Sequence, residues 1–572
     1  MNSKQRFRTR LLLACVAIAA AVLIARLYDT DVINGQTYAA KAEAQYSRPA
    51  SMVWSRGAIF FSGKDGTETA AAAVKSGFLV YMNPMQVTDP MSAYEALSNF
   101  LPLDKASFMA KAAKPHDPYE ELAHQVDAGT AEAIENLGLP GIRTAPEAWR
   151  AYPGGMLAAH ELGVVGQNGS STDISGRYGL EKYYNDILAK SGGGSISDAF
   201  AELFGGSGAG GSRDDGKSGD IVTTIEPTVQ AYLEKVLSET EAKWHPDEIG
   251  GIIMDPQNGE IVAMASHPTF DPNSLASLKS SAILSNPLVE NVYEMGSIMK
   301  PMTMTAALDS GTVRPDSVYD DTGCLKIAGY KVCNYDFRAR GPNTSMQTIL
   351  SQSLNVGAAT IAMDMGSTTF DDYFRRFGLT DKSGIDLPDE ATPITKNLRI
   401  GGDIDIATAA FGQGIAVTPV EMARALSVIA SGGYLVTPHL VKQIDYDDGT
   451  IKDVDPPRIG PIVDPKTAEE VQSMLVTVVD KAFASGTIAM QHYSQGAKTG
   501  TAQIADPVHG GYYSDRYLHS FFGFFPAYNA KFLVFLYQVY PKGAEYASQT
   551  LTASYAELAS FLINYYDIPP DR

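Results

Sequence analysis

Cysteine and histidine are scarce in this chain: 572 residues hold three cysteines and nine histidines. The cysteine spacing fits no metal motif and no H-E-x-x-H pair occurs, so neither a metal site nor a cofactor is expected. Basic residues are also in short supply, 45 Lys and Arg against 65 Asp and Glu, for a formal net charge of −20. The first ten residues, "MNSKQRFRTR", carry Lys4, Arg6, Arg8 and Arg10 and no acid, so the remainder stands at 41 basic against 65 acidic, or −24. A body of that charge is repelled by phosphate backbones, which argues against nucleic acid as a partner. Internal repeats are absent. With 45% hydrophobic and 19% charged residues the balance is that of a globular protein, long enough for several domains.

What is present begins with an apolar run, "LLLACVAIAAAVLIARLY", Leu11 to Tyr28, directly after the basic tail. About 20 apolar residues cross a bilayer, so the run is slightly short, with Arg26 placed to snorkel. A cleaved signal peptide ending near Ala19–Ala21 is the rival, but "VLIA" carries the apolar run beyond that point. The expectation is an uncleaved single-pass transmembrane anchor at 11–28, with a cytoplasmic tail at 1–10 and an exported body. Cys15 lies in this run. Cys324 and Cys333 flank "LKIAGYK", which reads as a small hairpin around Gly329. An exported domain permits a disulfide between them, and sequence alone leaves the pairing open.

A mixed segment follows at 29–190, in which "GFLVYMNP" reads as a strand and "SAYEALSNFL" and "YEELAHQV" as helices. Residues 191–219 are rich in Gly and Ser and read as a linker. Within it, "GSRDDGKS" matches the phosphate-binding pattern G-x-x-x-x-G-K-[ST]. No strand precedes it, "DIVTTIE" after it reads as a strand, and two aspartates occupy the would-be anion nest, so the match is rejected. From 220 to 572 the pattern changes. "TVQAYLEKVLSETEAKW" is an amphipathic helix. "GGIIMDPQNGEIVAMAS" is a hairpin about Asn258-Gly259, "HSFFGFFPAYNAKFLVFLYQVYP" gives two more strands, and "SYAELASFLINYY" closes the chain as a helix. Strands at both ends with helices between predict an α+β domain: an antiparallel sheet flanked by helices, with a helical subdomain.

Three short strings carry the chemistry. "YEMGSIMKPMTMTAALDSG" holds Ser297 and Lys300 in the one S-x-x-K of the chain. "TILSQSLNVGAAT" places Ser353 and Asn355 as S-x-N between two helical stretches. "SQGAKTGTAQI" gives Lys498, Thr499, Gly500 and Thr501 in a β-compatible run. Singly each is weak, and K-S-G recurs at Lys75, Lys190, Lys217 and Lys382. The order S-x-x-K, S-x-N, K-T-G is the set found in β-lactamases and penicillin-binding proteins. A serine hydroxyl needs an adjacent base, and a lysine at i+3 on a helix shares its face. That lysine must be neutral, which burial and a second cation such as Lys498 promote. Ser353 then relays a proton, Asn355 holds a substrate amide, Gly500 clears a strand edge for substrate, and the backbone N–H groups of Ser297 and Thr501 form an oxyanion hole.

With these strings in place the chain resembles a class B penicillin-binding protein, a monofunctional, membrane-anchored peptidoglycan D,D-transpeptidase. "WSRGAIF", "RAYPGGMLAAHELGVVGQ" and "RYGLEKYYNDIL" are similar to pedestal elements of that family, and "FGQGIAVTPVEMARALSVIASGGYLVTPHLV", "SGIDLPDE" and "LHSFFGFFPA" to catalytic ones. Met295 stands where proline is usual before Gly-Ser, and "FFSGKDG" replaces the family's Asp-Arg-x-Gly turn. The resemblance implies an elongated mixed α/β pedestal (dimerisation-type) domain at 29–190 and a transpeptidase domain at 220–572. It implies an acyl-enzyme on Ser297 formed from stem peptides ending in D-Ala-D-Ala, acylation by β-lactam antibiotics, and a substrate carboxylate received by Lys498, Thr499 and Thr501. It further implies location in the bacterial cytoplasmic (inner) membrane with the catalytic domain on the outer, periplasmic side, and a polytopic membrane glycan polymerase as partner. The alternatives are a β-lactamase or D,D-carboxypeptidase using water as acceptor, which needs neither anchor nor pedestal, and a non-catalytic scaffold of a wall-synthesis complex.

Overall fold

The computed structural model describes residues 55–114, 116–167, 174–190, 217–278, 280–483 and 488–572. The expected tail and anchor, 1–28, lie outside these residues, as does the expected linker up to 216. Among the described residues no helix is long and apolar enough to cross a membrane. The described residues divide into two compact units, 75–149, and 55–74 together with 150–572.

In the smaller unit the helices Pro90–Leu97, Lys105–Ala112 and Ala128–Asn136 each begin at an aspartate, Asp89, Asp104 and Asp127, whose carboxylate accepts from first-turn N–H groups. Their apolar faces close on Val80, Met82, Leu97, Phe108, Val126 and Ile134. "YEELAHQV", read above as a helix, is instead the strand Glu120–Val126, antiparallel to the end of Glu68–Met82 through Phe78↔Val126 and Tyr81↔Glu121. Its seven residues are too few to nucleate a helix alone, and the neighbouring strand satisfies their backbone groups instead.

In the larger unit the expected hairpins form one antiparallel sheet. Its strands are β1 (Glu248–Met254), β2 (Ile261–His267), β3 (Gly496–Ala505), β4 (Tyr512–Phe525) and β5 (Phe532–Val539), in the order β3-β4-β5-β1-β2. Alternation of side chains decides what covers each face. Gly251 and Gly523 lie against Leu233 and Tyr555, from the helices α1 (Pro227–Trp244) and α6 (Thr552–Tyr565). Gly250 and Gly500 lie against Leu288 and Ile298, from the helical middle of the chain. The rejected phosphate-loop string leads into a strand, Gly219–Thr223, as expected, and Lys217 pairs with Asp448. That strand runs parallel to Ile59–Ser62.

Three of the pedestal strings converge at one buried carboxylate. Arg56 of "WSRGAIF" and Arg150 of "RAYPGG" both donate from Nε to Glu181 of "RYGLEKYY", at 2.5 and 2.6 Å. Arg56 also reaches the Glu181 carbonyl and Asn185, and Arg150 the Gly57 carbonyl. A carboxylate shared by two buried guanidiniums is costly to lose, because both cations are then left unpaired. Glu181→Ala is expected to destabilise the larger unit by about 3–5 kcal/mol, read as a lowered denaturant midpoint; an unchanged midpoint would refute the assignment.

Candidate active site

The serine mount is built before the serine is reached. Tyr293 exchanges two backbone hydrogen bonds with Val417 (2.9 and 3.0 Å), and Gly296 N–H donates to the Gly412 carbonyl at 3.0 Å. Glu294 fastens the same loop: one oxygen accepts from Gly414 N–H (2.9 Å) and the Tyr512 hydroxyl (3.0 Å), the other from the Gln413 amide (2.8 Å). Gly412 has φ +81°, and a β-carbon there would sit 2.2 Å from the Gly296 carbonyl oxygen, so only glycine permits the approach. In the sequence, "FGQGIAV" stands out only as a family likeness. The signal passed over is a pair of glycines around one polar residue, together with a lone acid three residues before Ser297.

A 3₁₀ turn, Gly296–Met299, then leads into helix α2 (Lys300–Asp309). Pro301 falls in the first turn, where its missing N–H costs no intrahelical bond. Lys300 to Leu308 are all buried, so α2 packs on every side, whereas Ser297 is half-buried. The 3.6-residue period puts Lys300 beside Ser297, with Nζ 2.9 Å from the serine Oγ.

Lys300 is 1% exposed, and its amine meets three further groups: the Ser353 carbonyl at 2.6 Å, Ser353 Oγ at 3.1 Å and Asn355 Oδ1 at 2.8 Å. Ser353 ends the turn after helix α3 (Met346–Ser351) with a left-handed φ of 55°, and Asn355 opens helix α4 (Asn355–Met365). Asn355 is oriented by its other end, where Nδ2 donates to the Cys333 carbonyl at 3.0 Å. A carbonyl accepts only, so Oδ1 is the atom that faces Lys300. Asn355 therefore holds the lysine here, in addition to anything it does for substrate. Cys324 and Cys333 are disulfide-bonded across the hairpin Cys324–Ile327/Tyr330–Cys333, which settles the pairing left open above.

Lys498, 3% exposed, comes from β3 and brings Nζ within 3.0 Å of Ser353 Oγ and 2.9 Å of the Thr499 carbonyl. Burial pushes its amine down to about 7. Burial pushes Lys300 well below the ordinary lysine range, and the charge of Lys498 adds to the effect. The hydrogen bonds of Lys300 agree. A neutral amine has two hydrogens and a lone pair, and among its four neighbours two, the Ser353 carbonyl and Asn355 Oδ1, can only accept. Both hydrogens go there, and the lone pair is left for a hydroxyl hydrogen.

β3 is an edge strand among the described residues, so one side of its backbone has no strand partner. A β-carbon on Gly296 would come within 2.7 Å of the Thr501 carbonyl, so Ser297 and Thr501 lie at neighbouring backbones. The Thr501 hydroxyl accepts from Ala547 N–H at 3.1 Å and keeps a hydrogen to give. Gly500 has a packing reason of its own. A side chain there would strike Ser520 Oγ at 2.2 Å and the Met295 carbonyl at 2.6 Å. Its task is to let β3 close on the serine mount, where Ser520 donates to that same Met295 carbonyl at 2.7 Å.

The structure thus gathers Ser297, Lys300, Ser353, Asn355 and Lys498 into one hydrogen-bonded cluster, with Thr499, Gly500 and Thr501 along the adjoining edge. Among the described residues no cluster of metal-ligating side chains occurs.

Comparison with known proteins gives two family matches: the penicillin binding protein transpeptidase domain over residues 249–558, and the penicillin-binding protein dimerisation domain over 55–200. Stage V sporulation protein D of Bacillus subtilis is 30% identical over 96% of this chain and 84% of its own length. Peptidoglycan D,D-transpeptidase FtsI of Escherichia coli is 28% identical over 99% of this chain and 93% of its own. Among solved structures, penicillin-binding protein 2X of Streptococcus thermophilus superposes with a TM-score of 0.72 at 21% identity, covering 90% of this chain and 79% of that one. Penicillin-binding protein 3 of Mycobacterium tuberculosis, complexed with aztreonam, gives 0.67 at 22%, covering 91% and 97%.

Gly500→Ala tests the packing of the cluster directly. The added methyl is expected to cost about 1–3 kcal/mol by overpacking, seen as a lower melting temperature. A variant as stable as wild type would refute the close approach.

Proposed function

We propose, from the premise that this chain belongs to the class B penicillin-binding proteins, that Ser297 is the nucleophile of a peptidoglycan D,D-transpeptidase that β-lactams inhibit. The observation that carries the reading is the Lys300 amine, buried, with its pKa pushed well below the ordinary lysine range by that burial, and 2.9 Å from Ser297 Oγ.

The reaction follows from those contacts. Ser297 Oγ attacks the carbonyl carbon of the penultimate D-Ala of a stem peptide, and its proton passes to the Lys300 lone pair. The developing oxyanion lies at the backbone N–H groups of Ser297 and Thr501. The C–N bond to the terminal D-Ala breaks. The departing nitrogen takes a proton through Ser353 Oγ, which touches both lysines, and D-Ala leaves as the amine. An amine from a second stem peptide then attacks the ester, gives up a proton by the same route, and Ser297 is regenerated. Lys498, Thr499 and Thr501 offer the cation and hydroxyls that suit the substrate's terminal carboxylate. A β-lactam ring presents an equivalent acyl group to the same serine.

The basic tail and the apolar run Leu11–Ala25 support a single-pass anchor in the bacterial cytoplasmic membrane, with the transpeptidase unit on the outer side. The pedestal strings at Arg56, Arg150 and Glu181 accord with a dimerisation-type domain over 29–190, a linker at 191–219 and a transpeptidase domain from 220. A polymerase of glycan strands in the same membrane is the partner such a monofunctional enzyme requires.

Two measurements test this. A fluorescent penicillin is expected to form a stable covalent adduct with the wild type, and Ser297→Ala to lower the acylation rate by roughly 10⁴-fold or more; a wild type that forms no adduct would falsify the reading, and rapid release of hydrolysed drug would indicate a β-lactamase. The second is a pH profile. Lys300 acts as base when neutral, so acylation declines as pH falls through its pKa. Lys498→Ala removes a neighbouring cation, which raises that pKa, so the acid limb is expected at higher pH than in wild type. A limb that stays in place, or moves down, would exclude electrostatic coupling of the two lysines.

A further inference from the structure

Thr501 is held from its far side by a short segment, Glu545–Thr550, and that segment is held by a histidine with no part in the steps above. His519 of β4 is directly opposite Thr501 in the β3–β4 ladder and is fully buried. Its Nε2 lies 3.1 Å from the Glu545 carbonyl and its Nδ1 2.9 Å from Thr550 Oγ1. The carbonyl can only accept, so Nε2 carries the hydrogen and Nδ1 accepts from the threonine hydroxyl. Burial pushes the imidazole down to about 4, so this neutral tautomer persists across the ordinary range. One ring thereby grips both ends of Glu545–Thr550. Between the two grips, Gln549 Oε1 accepts from Glu545 N–H and Tyr546 N–H, each at 3.1 Å. Helix α5 (Ala547–Thr550) then presents the Ala547 N–H to Thr501 Oγ1 at 3.1 Å.

We infer that His519 is a positioning residue for the reaction: through Thr550 and Ala547 it fixes the Thr501 backbone, and with it one oxyanion donor. This rests on the reading of Thr501 given under the proposed function. Thr501 sits on an edge strand, bonded to a neighbour on one side only, so a second constraint has to come from outside the sheet. The loop of polar contacts from His519 through α5 to Thr501 supplies it. Such a role touches the rate of bond formation more than ground-state binding, because the oxyanion exists only after attack.

The test separates those two quantities in the full chain. Acylation by a chromogenic β-lactam is followed by stopped flow, giving the non-covalent affinity and the acylation rate constant separately. Thr550→Val keeps volume and removes the hydroxyl; His519→Leu removes both grips; His519→Asn keeps an acceptor toward Thr550. Thr550→Val and His519→Leu are expected to slow acylation by about 10-fold or more, with a smaller change in affinity. The double variant is expected to be no slower than His519→Leu, since both changes break one linkage. His519→Asn is expected to recover to within about threefold of wild type. Wild-type rates in Thr550→Val and His519→Leu would overturn the inference, as would a loss confined to affinity, or an Asn variant as slow as Leu, which would assign the effect to lost volume. Should His519→Leu fail to fold, Thr550→Val alone decides. A wild type that never acylates overturns the functional reading and this inference with it; a reactive wild type with unslowed variants overturns this inference alone.

Discussion

The interaction on which the rest depends is the desolvated amine of Lys300. A charged ammonium cannot be buried without strong compensation, and the groups around this one are of the wrong kind to supply it. They are two carbonyl-type oxygens and two hydroxyls, with no carboxylate among them. That environment favours the neutral amine, and the nearest ionisable group, Lys498, pushes in the same direction. Everything that keeps the site dry therefore sets its chemistry. Helix α2 is buried on all sides, which would be wasteful for an ordinary surface helix. It becomes intelligible as the wall that holds water away from one nitrogen. The left-handed Ser353 belongs to the same logic, since its carbonyl and hydroxyl both meet the amine; backbone strain of order 1–3 kcal/mol is the kind of cost that functional sites carry.

A second constraint is distance between backbones. The serine comes from the helical middle of the chain and Lys498 from the sheet, and the two parts meet through glycines. Gly296, Gly412 and Gly500 each lie so near a neighbouring backbone carbonyl that a single methyl would force them apart. Glu294 and Ser520 then tie the same contact with side-chain hydrogen bonds. The arrangement explains why "KTGT" carries its glycine. The missing side chain makes room for protein.

How much of this was legible beforehand varies with the kind of signal. Asn258-Gly259 between β-rich runs, and the apolar strings near the C-terminus, specify hairpins by local turn chemistry, and those strands stand where expected. S-x-x-K, S-x-N and K-T-G name reacting groups, which assemble as the chemistry requires. "YEELAHQV" was misread because a seven-residue segment takes its conformation from the strand beside it. Asn355 was assigned to substrate because its spacing says nothing of the Cys333 carbonyl that aims its amide, and that carbonyl belongs to a hairpin 22 residues away in sequence. Glu294 and Gln413 went unnoticed for the same reason: they meet across 119 residues, and the other partners of Glu294, Gly414 and Tyr512, are at least as far away.

The hairpin Cys324–Cys333 shows how far such support extends. Its last carbonyl orients Asn355, and the next residue, Asn334, accepts from Val356 N–H while its own amide donates to Asp321. Two consecutive residues of one loop thus fix the first turn of α4, one through a side-chain amide and one through a backbone donor that the helix itself cannot satisfy. A covalent bond across the base of that hairpin restricts the loop in the unfolded chain as well as the folded one. The base at Lys300 is consequently a property of the assembled fold. In the unfolded chain the three strings are distant, both lysines are solvated ammonium groups, and the serine has no acceptor for its proton. Only when the hairpin aims Asn355, the glycines let the sheet approach, and Lys498 comes near does the pKa of Lys300 fall. Nucleophilicity at Ser297 is then coupled to complete folding, so a partly assembled site is an inert one.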